Sequence, residues 1–161
     1  MKRRATFLML LVLVSLSAAA DDTQNIAIVR TMVDLINQRE LNSLHTVVAD
    51  DIVRHSAATP GIVVTNLDEF KAFLETDIAG IPDSVQTIDI AFSAADKVAV
   101  RAHYRGTHTG PMGPIAATGK SVDLPFMAIL RIENSKVAEI WVEWDNMLIL
   151  GQLGLLPPAP E

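Results

Sequence analysis

The chain has 161 residues, a formal net charge of −6 and no cysteine. The missing cysteine excludes disulfides, thiol catalysis, cysteine-ligated zinc and a lipid-modified cysteine. The acidic balance, with no basic run beyond the first few residues, argues against nucleic acid and against an anionic membrane surface, both of which need clustered Lys and Arg.

The N-terminus reads as a secretory signal peptide over residues 1–20. Met1-Lys-Arg-Arg4 is a basic start, Ala5 to Leu16 is an apolar run, and Ser17-Ala-Ala-Ala20 offers an Ala-x-Ala cleavage site. The run is shorter than the roughly 20 residues of a membrane-spanning helix. Cleavage would leave ten basic residues against nineteen acidic ones, a periplasmic or secreted protein, and no membrane association. Residues 21–156 then form one domain, long enough to bury a core of its own. Pro157 to Glu161 reads as a frayed tail.

The mature chain begins with helical patterns. Thr23 can cap a helix over about Asn25–Gln38, where Ile26, Val29, Val33 and Ile36 share one face. A second short helix is predicted over Leu41–Val48, followed by an extended segment Asp50–His55 and a break at Thr59-Pro-Gly61. Asn66-x-x-Glu69 is a capping-box pattern opening a third helix to about Ile78, with Phe70, Phe73 and Leu74 as its buried stripe.

From Ser84 the period changes to two. Strands are predicted at about 84–92, 97–109, 119–133 and 136–145, with a tight turn at Asn134-Ser135. Thr109–Gly119, rich in Gly and Pro, reads as a flexible connection at one sheet end. A C-terminal turn of helix then runs from Asp145 or Asn146 to near Gly154. Helices followed by a mostly antiparallel, twisted sheet imply an α+β fold. Helices on one side of a curved sheet leave a cone with an open mouth, suited to a small apolar molecule. The other face needs cover, which predicts a homo-oligomer.

Chemistry-bearing residues concentrate on the later strands. Alternation along Arg101–Thr109 puts Arg101, His103, Arg105 and Thr107 on one face and Tyr104 and His108 on the other. His103 and His108 therefore point apart, which argues against a shared metal. His108, where the strand meets the Gly/Pro-rich connection, is either a hydrogen-bond donor to a ligand oxygen or a solvated strand-end residue. His55 is either paired with Asp50 or Asp51 or lines the pocket. Met127, like Met112 and Met147, fills core or lines the cavity.

Both tryptophans, Trp141 and Trp144, precede Asp145. Asp145 shares strand parity with Trp141; if Trp141 faces the cavity, so does Asp145. A carboxyl beside apolar rings has a raised pKa and can move a proton at carbon. Asp is equally a favoured helix N-cap, and both readings stand at this point.

Arg105-Gly-Thr-His-Thr-Gly110, Thr118-Gly-Lys120, Ile140-Trp-Val-Glu-Trp-Asp-Asn146 and Gln152-Leu-Gly-Leu-Leu-Pro157, together with Ala49-Asp-Asp-Ile-Val-Arg-His55, resemble the SnoaL-like polyketide cyclases, also called ester cyclases. These belong to the cone-shaped nuclear transport factor 2-like superfamily. The resemblance covers about residues 25–156. It implies an acid/base carboxylate at Asp145 in a cofactor-free, metal-free aldol-type ring closure, with His108 contributing and His55 and Trp141 lining the pocket. Tyr104 and Met127 complete the expected substrate-binding set. An exported, non-catalytic ligand-binding domain of the same fold is the alternative.

Overall fold

The computed structural model describes residues 21–156; the expected leader over 1–20 and tail over 157–161 lie outside the described residues. Helix α1 covers residues 21–37 and buries Val29, Met32, Val33 and Ile36, the stripe its 3.6-residue period sets out. Leu41–Thr46 is a 3-10 turn that buries Leu44, not the α-helix expected through Val48. The strand claims Val48: β1 (Val48–His55) starts there, with Val48 fully buried and paired to Val137.

Helix α2 (Leu67–Gly80) opens as the capping box predicts on one side only. Asn66 Oδ1 accepts the Glu69 amide at 2.9 Å, but the Glu69 carboxylate turns back to the amide and hydroxyl of Thr65, at 2.7 and 3.0 Å. Four strands follow: β2 (Val85–Ala94), β3 (Lys97–Thr107), β4 (Ser121–Glu133) and β5 (Lys136–Trp144). The β4–β5 turn is Asn134-Ser135, both at positive φ (50° and 59°), the conformation that suits a two-residue hairpin.

The sheet order is β1-β5-β4-β3-β2, antiparallel except for β1 beside β5. It is a curved α+β sheet that does not close. One face lies under α1 and α2, where Val98, Val100, Leu130, Val137 and Ile140 meet Val29, Phe70 and Leu74 in one core. The register slips between Arg131 and Ile132, so that Val137 and Ala138 are both buried at the start of β5. Beyond that bulge Ile140, Val142 and Trp144 point inward, while Glu139, Trp141 and Glu143 point outward.

Helix α3 (Asn146–Leu153) packs across the end of β4. Asp145 is its N-cap: Oδ1 accepts the amides of Met147 and Leu148 at 2.8 and 3.1 Å. Gly154 ends the helix in the left-handed region at φ 71°. The connection between β3 and β4 is tied down rather than loose. Gly110 donates to Gly80 O at 2.9 Å and sits so near the Ala79 carbonyl that a Cβ would collide with backbone.

Two stability outcomes follow from these contacts. Asp145→Ala should cost about 1 kcal/mol in urea unfolding through loss of the cap, with Asp145→Asn close to wild type. Gly110→Ala should cost about 1–3 kcal/mol, because the clash is with backbone that cannot rotate away.

Candidate functional site

Between the inner face of the sheet and the helices lies a cavity of about 860 Å³. Its floor is Ala102, Tyr104, Leu124, Phe126, Val142 and Trp144. Its sides are Val33 and Ile36 of α1, Phe70, Phe73 and Asp77 of α2, and Ile149 and Leu153 of α3. Ile62 and Val63 from the β1–α2 loop, and Met112, Gly113 and Ile115 from the β3–β4 connection, also line it, and Ile62 and Val63 are exposed. The volume and the apolar walls suit a drug-sized apolar molecule.

Few polar groups reach this space. Tyr104 Oη donates to Asp77 Oδ2 at 2.9 Å. Asp77 stands at the end of the α2 stripe, seven residues after Phe70, and so points with Phe70, Phe73 and Leu74 into the apolar interior. Burial holds its carboxyl above the ordinary aspartate range, against the Tyr104 hydrogen bond and the charges of Arg39 and Arg54, which pull it down. Burial, then the neighbouring Asp77, pushes the Tyr104 phenol far up, so it serves as a neutral donor.

Arg54 is the cavity's cation. It shares strand parity with Ile52 and is buried, 6% exposed. Its guanidinium lies 4.3 Å from the Phe73 ring centroid and 5.8 Å from that of Trp144. Trp144 is held in turn: its indole N–H donates to Asn146 Oδ1 at 2.9 Å, and Asn146 Nδ2 donates to Ala58 O at 2.7 Å.

The residues singled out from sequence are divided by the sheet. Tyr104 lines the cavity. Trp141 does not: it faces outward, stacked on His55 with centroids 5.4 Å apart and planes at 14°. His55 Nε2 bonds Glu139 Oε1 at 2.8 Å, and Glu139 Oε2 accepts from Arg131 Nε at 3.0 Å. The expected pairing of His55 with Asp50 or Asp51 is replaced by this cross-strand pair, and the two bonds hold the Glu139 carboxyl below the ordinary range. Met127 is on the same outer face, 65% exposed.

Asp145 is exposed at the α3 N-terminus and outside the cavity lining. Sharing parity with Trp141 placed both away from the cavity. His108 is fully buried yet also outside the lining. Its Nδ1 accepts the Thr118 amide at 3.3 Å and lies 3.1 Å from Thr118 Oγ1, which puts the neutral ring's proton on Nε2; that atom has no partner among the described residues. Among the described residues no group of three or more His, Asp or Glu is placed to hold a metal ion.

Asp77 and Arg54 were not singled out from the sequence. The signal was there: each is a charged residue at a position its own element's periodicity assigns to the core.

The chain is similar in fold to several solved structures. AclR from Streptomyces galilaeus is 25% identical, with a TM-score of 0.73, covering 86% of this chain and 90% of that one. IdmH from Streptomyces antibioticus is 23% identical, with a TM-score of 0.72, covering 81% and 99%. A protein of Jannaschia sp. CCS1 assigned to the SnoaL-like polyketide cyclases is 18% identical, with a TM-score of 0.75, covering 85% and 95%. The latter two likenesses show the fold alone. A search of curated proteins found no match. The family model for the SnoaL-like polyketide cyclase matches residues 26–153, most of the chain, and the protein belongs to that family.

Proposed function

We propose that this is an exported, cofactor-free enzyme of the cyclase or isomerase type. It moves a proton at the carbon beside a carbonyl group of a small, largely apolar substrate. The observation that carries this reading is the Asp77–Tyr104 pair: a carboxyl with a raised pKa, hydrogen-bonded at 2.9 Å, at the wall of an apolar cavity. Export rests on the leader pattern of residues 1–20.

The chemistry follows from the geometry. Tyr104 occupies Asp77 Oδ2; Oδ1 has no hydrogen-bond partner among the described residues and is the atom left to face a substrate. A carboxylate whose pKa is raised by desolvation is a stronger base than one in water, and better matched to a carbon acid. Asp77 takes the proton, the substrate forms an enol or enolate, and the same carboxyl returns the proton after the bond shift. The apolar walls exclude water and strengthen each electrostatic contact. The family motif would give the acid/base role to Asp145, with His108 beside it. In the reading proposed here, Asp145 caps α3 and so sets Asn146, Ile149 and Leu153 on the cavity wall.

The almost wholly apolar lining also favours a second reading, a binding domain that holds its ligand without turnover. Asp77→Asn separates the two. Wild type should speed deuterium incorporation at the α-carbon of apolar aryl ketones or β-keto esters above the buffer rate, with a loss of about 10²–10⁴-fold in the variant. Equal exchange rates for wild type and variant would contradict the assignment of Asp77.

The same variant makes a stability prediction of opposite sign. The folded state holds Asp77's proton above the ordinary aspartate pKa of about 3.9, so wild-type stability falls as pH rises from there through the folded pKa. Asp77→Asn lacks that loss. Its melting temperature should exceed that of wild type at pH 7, with the gap closing toward pH 4.

We also propose that two copies pair through the outer sheet face. Ile90 and Phe92 on β2 and Met127 and Ile129 on β4 are exposed there, on either side of Arg101 and Ala99 of β3. Light scattering after size exclusion should give a dimer for wild type and a monomer for the double variant Phe92→Lys, Ile129→Lys. A monomeric wild type would remove this proposal.

A further inference from the structure

The arginines are distributed against the usual rule. Arg101, Arg105 and Arg131 lie on the outer face, and each has a carboxylate partner at 2.9 or 3.0 Å. Arg54 is the buried one, and none of the ion pairs among the described residues, which extend to 4.0 Å, includes it. The one hydrogen bond its guanidinium makes among them runs from Nη1 to Thr59 Oγ1 at 3.0 Å. A guanidinium carries five N–H donors in a planar fork, so most of this fork is unused.

The carboxylates that act on Arg54, those of Glu143 and Asp77, form no ion pair with it. Glu143 accepts the amides of Ala57 and Ala58 at 2.8 and 3.1 Å, and Asp77 Oδ2 accepts from Tyr104. Both act on Arg54 only at longer range, and burial outweighs them, lowering its pKa. A buried charge without a close counter-ion is costly to keep, and the Phe73 and Trp144 rings compensate only part of that cost. The geometry leaves the remaining donors of Arg54 to whatever occupies the cavity.

We propose that the cavity takes a monoanionic amphiphile, an apolar body ending in a carboxylate, with the carboxylate on the fork of Arg54. The planar fork matches a planar carboxylate through two parallel hydrogen bonds. Arg54 is the one cation among the described residues that line the chamber, and Asp77 already acts on it, so it suits one added negative charge better than the two of a phosphate monoester. This deepens the reading of the cavity as the ligand site; it does not depend on proton transfer by Asp77. It narrows the substrate class to carbonyl compounds that also carry an acid group, bound so that the acid end lies against Phe73 and Trp144.

Titration calorimetry with octanoate, octanol and octylamine tests this on the full mature chain. Wild type should bind octanoate about tenfold or more tighter than octanol, and octylamine more weakly than either. Arg54→Met should bring octanoate down to the level of octanol and leave octanol unchanged. Arg54→Lys, which keeps the charge without the fork, should retain part of the preference and serves if the Met variant does not fold. Equal binding of octanoate and octanol by wild type, or an unchanged preference in Arg54→Met, would overturn the inference while leaving the cavity reading intact. Failure of wild type to bind any of the three would overturn both. Asp77→Asn should keep the carboxylate preference, so loss of turnover and loss of anion recognition are read separately.

Discussion

The β3–β4 ladder decides where everything else goes. Lys97 to Thr107 pairs residue for residue with Arg131 to Ser121, without a slip. One unbroken register fixes the face of every side chain on both central strands, because a strand alternates with a period of two. Val98, Val100, Ala102 and Tyr104 go inward with Leu124, Ala128 and Leu130; Arg101, His103 and Arg105 go outward with Asp123, Met127 and Arg131. The helices can cover only the inner face, and they reach it at one end. α1 and α2 fill the region around Val98 and Leu130, and the region around Tyr104 and Phe126 is left as cavity.

The division of charge follows from that division of faces. The outer surface carries Arg101–Asp89–His103, Arg105–Asp123 and His55–Glu139–Arg131 as cross-strand pairs, each satisfied by a neighbour and open to solvent. Such pairs contribute little to stability individually. The inner side keeps Asp77, Tyr104 and Arg54, where partial or full burial weakens solvent screening and each shifts from its ordinary behaviour. Groups kept in such a place at a cost to folding are where binding or catalysis is expected.

Much of the fold was legible in the chain. The apolar stripe of α1, the Asn66 cap, the β-period from Ser84 and the Asn134-Ser135 turn each carry a strong local signal, and the structure has all four. The ordered motifs led to the SnoaL-like family, which the family model matches. The inner face of β5 was legible but easily misread. Glu139 and Glu143 share a parity with Trp141, and Ile140, Val142 and Trp144 form the other, so alternation favours the second set as the inner face; weighting the single indole of Trp141 above its two acidic neighbours gives the opposite and wrong assignment. Pairing with β4 and the bulge near Ala138 fix the inner set. Asp77 and Arg54 were hidden for a different reason. A carboxylate on a helix and an arginine on a strand are solvated far more often than buried, so the default reading hides them. Their spacing from Phe70 and from Ile52 is the local evidence that they are exceptions.

The central claim is that the half-buried Asp77 carboxyl, in the wall of a mainly apolar cavity, keeps its proton beyond the range of a solvated aspartate. Carbon-13 NMR titration of the side-chain carboxyl, assigned by its disappearance in Asp77→Asn, reads this directly. A midpoint clearly above the ordinary value of about 3.9 is the predicted result. A midpoint at or below that value would show a solvated or ion-paired carboxylate, and would contradict the placement of acid–base chemistry at this residue.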